Sequence, residues 1–260
     1  MNSPLGPNPD ATEVPARTDT LARLVAIMAR LRDPLHGCEW DRVQNFASIA
    51  PYTIEEAYEV ADAIARGDMA ALADELGDLA LQIVFHSRIA EELGAFDLDA
   101  VLTGIADKLE RRHPHIFGNA AVSPGWEKIK AGERATAADR SALAGVALAL
   151  PALERAAKLQ KRAARTGFDW PTIEGPKAKI VEELDEIAAA PPEAVEEEVG
   201  DLLFAVVNFA RHLKIDPEEA LRKANRKFER RFRVIEQAPG FTALTLEQQE
   251  ALWVEAKRGG

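Results

Sequence analysis

Residues Lys179–Phe204 read "KIVEELDEIAAAPPEAVEEEVGDLLF". Apolar residues recur at three- and four-residue spacing on both sides of Pro191 and Pro192, which predicts two adjoining helices broken by the proline pair. The remaining positions are crowded with glutamate and aspartate. On a helix each residue turns the chain by about 100°, so Glu183 and Glu186 lie one turn apart on a shared face, as do Glu198 and Asp201. Taken alone, such a run is more often a solvated acidic face. Here the apolar stripe argues against that reading, because Leu202, Val206, Val199 and Leu203 all fall within about 140° of Glu198, which therefore borders the stripe expected to be buried. Carboxylates stacked this way repel one another unless a cation sits between them.

Working outward, helical spacing continues through nearly every segment after Thr20, and alternating β-branched runs are few, so the fold class is all-α. Helices are predicted over Thr20–Arg32, Thr53–Arg66, Ala70–Leu93, Asp99–Arg112 and Trp126–Lys130. After "SALAGVALALPALERAAKLQKRA" a second series covers Lys177–Ala190, Glu193–Leu213, Pro217–Gln237 and Leu246–Lys257. Landmarks recur in the same order in both series. Trp40 in "CEWD" answers to Trp170 in "GFDW", "EEAYE" at Glu55–Glu59 to "EELDE" at Glu182–Glu186, and "DELGD" ending at Asp78 to "EEVGD" ending at Asp201. "DKLERRH" (Asp107–His113) parallels "RKFERRF" (Arg226–Phe232), and "WEKIK" (Trp126–Lys130) parallels "WVEAK" (Trp253–Lys257). The chain reads as a duplicated module: a disordered tail at 1–19, a first module at 20–136, a linker at 137–150 and a second module at 151–260.

The 260 residues carry a net charge of -11, which excludes a general affinity for nucleic acid polymers or anionic membranes. The longest apolar stretch, around "LAGVALALPAL", is too short to span a bilayer and contains a proline. The single cysteine, Cys38, suits a reducing compartment, and the Pro-rich start lacks an apolar signal-like segment. These features lead to the expectation of a cytoplasmic protein.

The acidic positions offer only hard oxygen ligands, which suits Mg²⁺ or Mn²⁺ and disfavours zinc. Carboxylate-held Mg²⁺ commonly takes phosphate oxygens as its remaining ligands. Complementary cations follow: Lys223, Lys227 and Arg231 recur every four residues on one helical face, where they can clamp a polyphosphate or simply form a basic solvated stripe. Trp253, one turn before Lys257, can stack on a base or cap a core.

Taken together, "GCEWD", "APYTIEEAYEV", "DKLERRHPHIF", "GFDW" and "NRKFERRFR" resemble the MazG family of nucleoside triphosphate pyrophosphohydrolases, within the all-α NTP pyrophosphatase superfamily that also holds the dimeric dUTPases. The superfamily pattern Glu-Glu-x-x-Glu followed by Glu-x-x-Asp occurs twice, as Glu55, Glu56, Glu59, Glu75, Asp78 and as Glu182, Glu183, Glu186, Glu198, Asp201. The resemblance implies hydrolysis of NTPs or dNTPs to the monophosphate and pyrophosphate with Mg²⁺, clearance of non-standard or excess nucleotides, and a homodimer in which modules pair as four-helix-bundle-like units. It implies metal ligation by Glu183, Glu186, Glu198 and Asp201, and by Glu56, Glu59, Glu75 and Asp78 in the first module. Glu182 is implied as a water-orienting base, with Lys227 and Arg231 as catalytic cations. Lys223, Lys227, Arg231, Trp253 and Lys257 are implied as nucleotide contacts, with Arg112 and Lys130 as first-module counterparts. The second module is favoured as the catalytic one, because His113 and Pro114 should stop the first module's basic helix early. Two rival readings remain: a nucleotide-binding regulator with one or both modules non-catalytic, and a helical adaptor, which leaves the repeated carboxylates without a cause.

Overall fold

The computed structural model describes residues 19–118, 139 and 141–258, and among these it is built from α-helices and one short 3₁₀ turn, with no strand. The described residues fall into two compact units on either side of the Ile129/Lys130 junction.

In the first unit, α1 spans Thr20–Leu31, α2 Glu39–Val43, α3 Phe46–Arg66, α4 Met69–Glu92, α5 Leu98–Arg112 and α6 Pro114–Phe117. Local chemistry sets the ends. Asn45 and Ser48 form a reciprocal capping box at the start of α3, and Gly67 takes the left-handed conformation (φ 69°) that closes it. Asp68 then caps α4 through the Ala70 and Ala71 amides. A two-residue connection makes α3 and α4 antiparallel neighbours, and α4 also carries α1 and α5. Met28, Ile49, Val84, Phe85 and Ile89 form the core there, with Leu24, Val25, Leu81 and Leu98 packed around it. Buried Arg32 ties α1 to α4 through Glu92, with Nη2 2.7 Å from Oε2, and lies over the Phe85 ring. Its guanidinium holds the Glu92 carboxyl below the usual carboxylate range.

In the second unit, α7 spans Ala152–Ala164, α8 Glu174–Ala189, α9 Val195–His212, α10 Pro217–Ile235 and α11 Leu246–Arg258, with the 3₁₀ turn at Phe241–Ala243. Pro191 follows the last turn of α8, and Asp216 with Pro217 opens α10. Here α9 is the central helix, packed against α7, α8 and α10, as α4 is packed against α1, α3 and α5. The equivalent pairings support the repeat seen in the sequence.

Three expectations need correction. Helix α3 begins at Phe46 rather than Thr53, and Pro51 lies inside it. Pro51 removes one backbone bond, at about 3 kcal/mol in a helix interior, and the Asn45–Ser48 capping box secures the first turn, just ahead of the one that contains it. Helix α7 forms over a stretch to which no helix was assigned. The stripe expected to be buried beside Glu198 is exposed within this chain: Val199, Leu203 and Val206 are 40%, 53% and 43% accessible, and α9 instead buries Ala205, Val207 and Asn208. The first unit behaves alike, since Leu76 and Ile83 are also exposed. By contrast, α5 ends at Arg112 before Pro114, whereas α10 continues to Ile235, as the proline required.

Candidate active site

Helices α8 and α9 bring Glu183, Glu186 and Glu198 together, so that one carboxylate oxygen from each lies within 4.8 Å of the others. Glu183 is only 2% exposed, and its Oε2 is buried without a hydrogen-bond partner. An ionised carboxylate held that way is unfavourable unless a positive group completes it. Its other oxygen, Oε1, is 2.7 Å from the Lys179 ammonium. Lys179 also pairs with Glu182 at 2.8 Å and lies 3.9 Å from Glu186. Burial pushes the Glu186 carboxyl up, the Glu183 and Glu198 charges add to this, and Lys179 opposes it. Asp201 stands outside the triad but lines the same cavity as Glu183. The oxygen-only donors, their spacing and the orphaned Glu183 oxygen fit a hard divalent cation.

In the first unit Glu56 of α3 meets Glu75 and Asp78 of α4 within the same 4.8 Å limit. Burial raises both the Glu56 and Glu75 carboxyls, and the surrounding acidic side chains push the same way. Glu59 is near enough for its charge to add to the rise at Glu75. The structure therefore gathers three of the four expected ligands in each module into one cluster and leaves the fourth adjacent. Tyr52 stands where the second module has Lys179, three residues before the Glu-Glu pair.

The expected nucleotide contacts are placed differently. Lys223 pairs with Glu219 at 3.4 Å. Arg231 lines a hollow between α10 and α11 with its Nε buried and unpartnered. Trp253 packs on Phe228 at 5.2 Å between ring centroids, and Lys227 and Lys257 lie on α10 and α11. None of these residues lines the cavity on which Glu183 opens. Arg112 closes α5, and Trp126 and Lys130 fall outside the described residues.

That cavity, about 710 Å³, lies among α7, α8 and α9, and its walls include Gln160, Trp170, Lys179, Glu183, Asp201 and Asn208. Sequence reasoning missed Gln160, Lys179 and Asn208. Lys179 carried a usable signal, being one turn ahead of Glu183 on a helical face, whereas Gln160 and Asn208 look like ordinary polar residues until α7 packs on α9. Trp170 has a fixed seat, because a Cβ at Gly175 would fall onto its indole. The wall is braced by Asp169, which accepts hydrogen bonds from Arg211, including Nη1 to Oδ2 at 2.9 Å, and has its carboxyl pushed down to about 2 by that contact, with His212 3.0 Å away adding to the effect.

A family model described as the MazG nucleotide pyrophosphohydrolase domain matches residues 44–117 and again 173–234. The chain is 51% identical over 253 residues to a nucleoside triphosphate pyrophosphohydrolase of Escherichia coli (strain K12), covering 91% of this chain and 96% of that protein. It is 45% identical over 247 residues to the nucleoside triphosphate pyrophosphohydrolase/pyrophosphatase MazG of Thermotoga maritima, covering 91% and 95%. A nucleoside triphosphate pyrophosphohydrolase of Mycobacterium tuberculosis is 35% identical over 159 residues, covering 58% of this chain and 47% of that protein. Because the double match falls on the two helical hairpins that carry the carboxylate clusters, and the Escherichia coli and Thermotoga maritima relatives each align with 91% of the chain, the chain belongs to the MazG nucleotide pyrophosphohydrolase family.

Proposed function

We propose that this protein hydrolyses nucleoside triphosphates, ribo or deoxy, to the monophosphate and pyrophosphate with Mg²⁺ or Mn²⁺, and that the second module, 151–260, carries the main site, with the module at 20–136 as its repeat. The observation that carries this reading is the buried, unpartnered Glu183 oxygen within a carboxylate cluster, inside a segment that matches the family. Glu183, Glu186, Glu198 and Asp201 would hold the metal. Once bound, a divalent ion supplies positive charge against phosphate oxygens and acidifies nearby water. The protein's own residues then divide the remaining work. Glu182 is exposed and paired with Lys179; released from that pair, it orients water for attack. Lys227 and Arg231 offset charge that accumulates on the leaving pyrophosphate. Lys223, Trp253 and Lys257 contact the nucleotide, with Arg112 and Lys130 in the corresponding role in the first module.

The exposed stripe of Val199, Leu203 and Val206 on α9, with Val181 and Leu184 on α8, supports a homodimer in which these hairpins pair as a four-helix bundle. Among the described residues no helix is long and apolar enough to cross a membrane. The acidic net charge supports a protein that binds neither nucleic acid polymers nor anionic membranes, and its proposed role is the removal of non-standard or excess nucleotides in the cytoplasm.

The test is separation of products by ion-exchange chromatography after incubation with a panel of NTPs and Mg²⁺. Monophosphate plus pyrophosphate is expected, with loss of turnover in EDTA and recovery on adding Mg²⁺ or Mn²⁺. Diphosphate plus orthophosphate, or turnover untouched by EDTA, contradicts the reading.

A further inference from the structure

Gln160 lies on α7 and is 7% exposed. Its Nε2 donates to the Phe204 carbonyl oxygen on α9 at 2.8 Å. This bond fixes the orientation of the amide, since only the nitrogen end can donate. Oε1 is then the free end, and it is buried without a hydrogen-bond donor. Asn208 is oriented by the same logic. Its Oδ1 accepts from Arg211 Nε at 2.9 Å and Nη2 at 2.6 Å, which leaves Nδ2 as its donor end. Both amides line the cavity whose wall also includes Glu183 and Asp201.

An acceptor buried this way is unfavourable unless an occupant supplies an N–H or O–H. The other walls narrow the choice of occupant. Two aromatic residues, Trp170, seated against Gly175, and the 82% exposed Phe168, belong to the same lining. A planar heterocycle stacks on such side chains, and one attached to a polyphosphate can rest here while its phosphates reach the carboxylate side of the cavity.

Resting on the pyrophosphohydrolase reading above, we infer that this cavity receives the nucleotide base and that Gln160 Oε1 accepts a hydrogen bond from a base N–H. Adenine and cytosine offer an exocyclic amino group, and guanine, uracil and thymine a ring N–H. A single acceptor therefore admits all five, together with altered bases that keep an N–H, and disfavours triphosphates whose base has none. Gln160 is thus a specificity-determining residue that leaves the choice among ordinary bases open.

The experiment compares kcat/KM of the full chain for ATP and CTP with that for purine riboside triphosphate and 2-pyrimidinone riboside triphosphate, whose bases carry no N–H. The analogues are expected to fall by about tenfold or more, the usual penalty for stranding a buried polar group. Gln160→Leu should bring ATP and CTP down to the level of the analogues, acting mainly on KM, while the values for the analogues change little. Wild-type protein that handles all four within about twofold overturns the inference, as does a Gln160→Leu variant in which substrates and analogues fall together, the signature of a purely structural α7–α9 tie. The wild-type comparison decides even if the variant does not fold. If none of the four is cleaved, the pyrophosphohydrolase reading fails; calorimetric binding of the same four ligands then judges the base contact separately, with equal affinities counting against it.

Discussion

Glu183 and Lys179 concentrate the chemistry of the second module into one contact. A buried carboxylate one turn after a lysine has found the only cation that its own helix supplies at that spacing, yet one of its oxygens stays unpartnered. Lys179 and a divalent ion therefore compete for the same negative charge. Lys179→Met should leave the helix intact and tighten Mn²⁺ binding in the absence of nucleotide, by about tenfold, since a hydrogen bond between charged groups, here to a buried carboxylate, contributes about 1.5 kcal/mol or more. Electron paramagnetic resonance titration of free Mn²⁺ measures this, and weaker binding in the variant would make Lys179 a partner of the metal site rather than a competitor. Asp169 supports a pH prediction. Its carboxyl is lowered from 3.8 to about 2, chiefly by Arg211 and further by His212. A carboxylate with a depressed folded pKa contributes stability that is fully present above its unfolded value and lost as pH falls through its folded value. The melting-temperature gap between wild type and Asp169→Asn should close progressively as pH falls from about 4 to about 2. A gap that widens on acidification contradicts the assigned contact.

At the level of elements, the two hairpins α3–α4 and α8–α9 were legible because their apolar spacing is strongly helical and their turns carry unambiguous breakers, Gly67 and the Pro191–Pro192 pair. The clusters were legible for the same reason: residues three apart on a helix must share a face, so Glu75 with Asp78 and Glu183 with Glu186 could be paired from spacing alone. Two kinds of feature were not. The start of α3 was misjudged because Pro51 is a strong breaker in isolation, and only the Asn45–Ser48 capping box shows that the helix has already begun. The cavity wall was invisible because Gln160 meets Phe204 across 44 positions of sequence, and no local pattern encodes that contact. The exposed stripes are also a property of elements. Leu203 is 53% accessible, so Leu203→Glu should change the fold of a single chain little. If α8–α9 hairpins pair between chains, this variant should convert a dimer to a monomer in light scattering coupled to size-exclusion chromatography, with melting temperature measured alongside. A wild-type monomer, or a dimer unaffected by the glutamate, counts against the four-helix pairing.

For the whole molecule, duplication has produced two modules with the same helix pairings but different surroundings for their carboxylates. In the first, Glu56 and Glu75 are raised by burial and by their acidic neighbours, and Tyr52 occupies the position equivalent to Lys179. In the second, Lys179 balances part of the charge, the basic helix runs on to Ile235, and a cavity with an oriented amide opens beside the cluster. The central claim is that NTP hydrolysis resides chiefly in the second cluster. Glu198→Gln and Glu75→Gln make the same chemical change at equivalent positions, each removing one negative charge and nearly preserving size. Measuring kcat for both variants with ATP and Mg²⁺, with their melting temperatures as the control for folding, tests the claim most directly. The account predicts unchanged or slightly raised melting temperatures in both, a fall in kcat of about a hundredfold or more for Glu198→Gln, and most of the activity retained by Glu75→Gln; a loss confined to Glu75→Gln, or equal losses in the two, would contradict it.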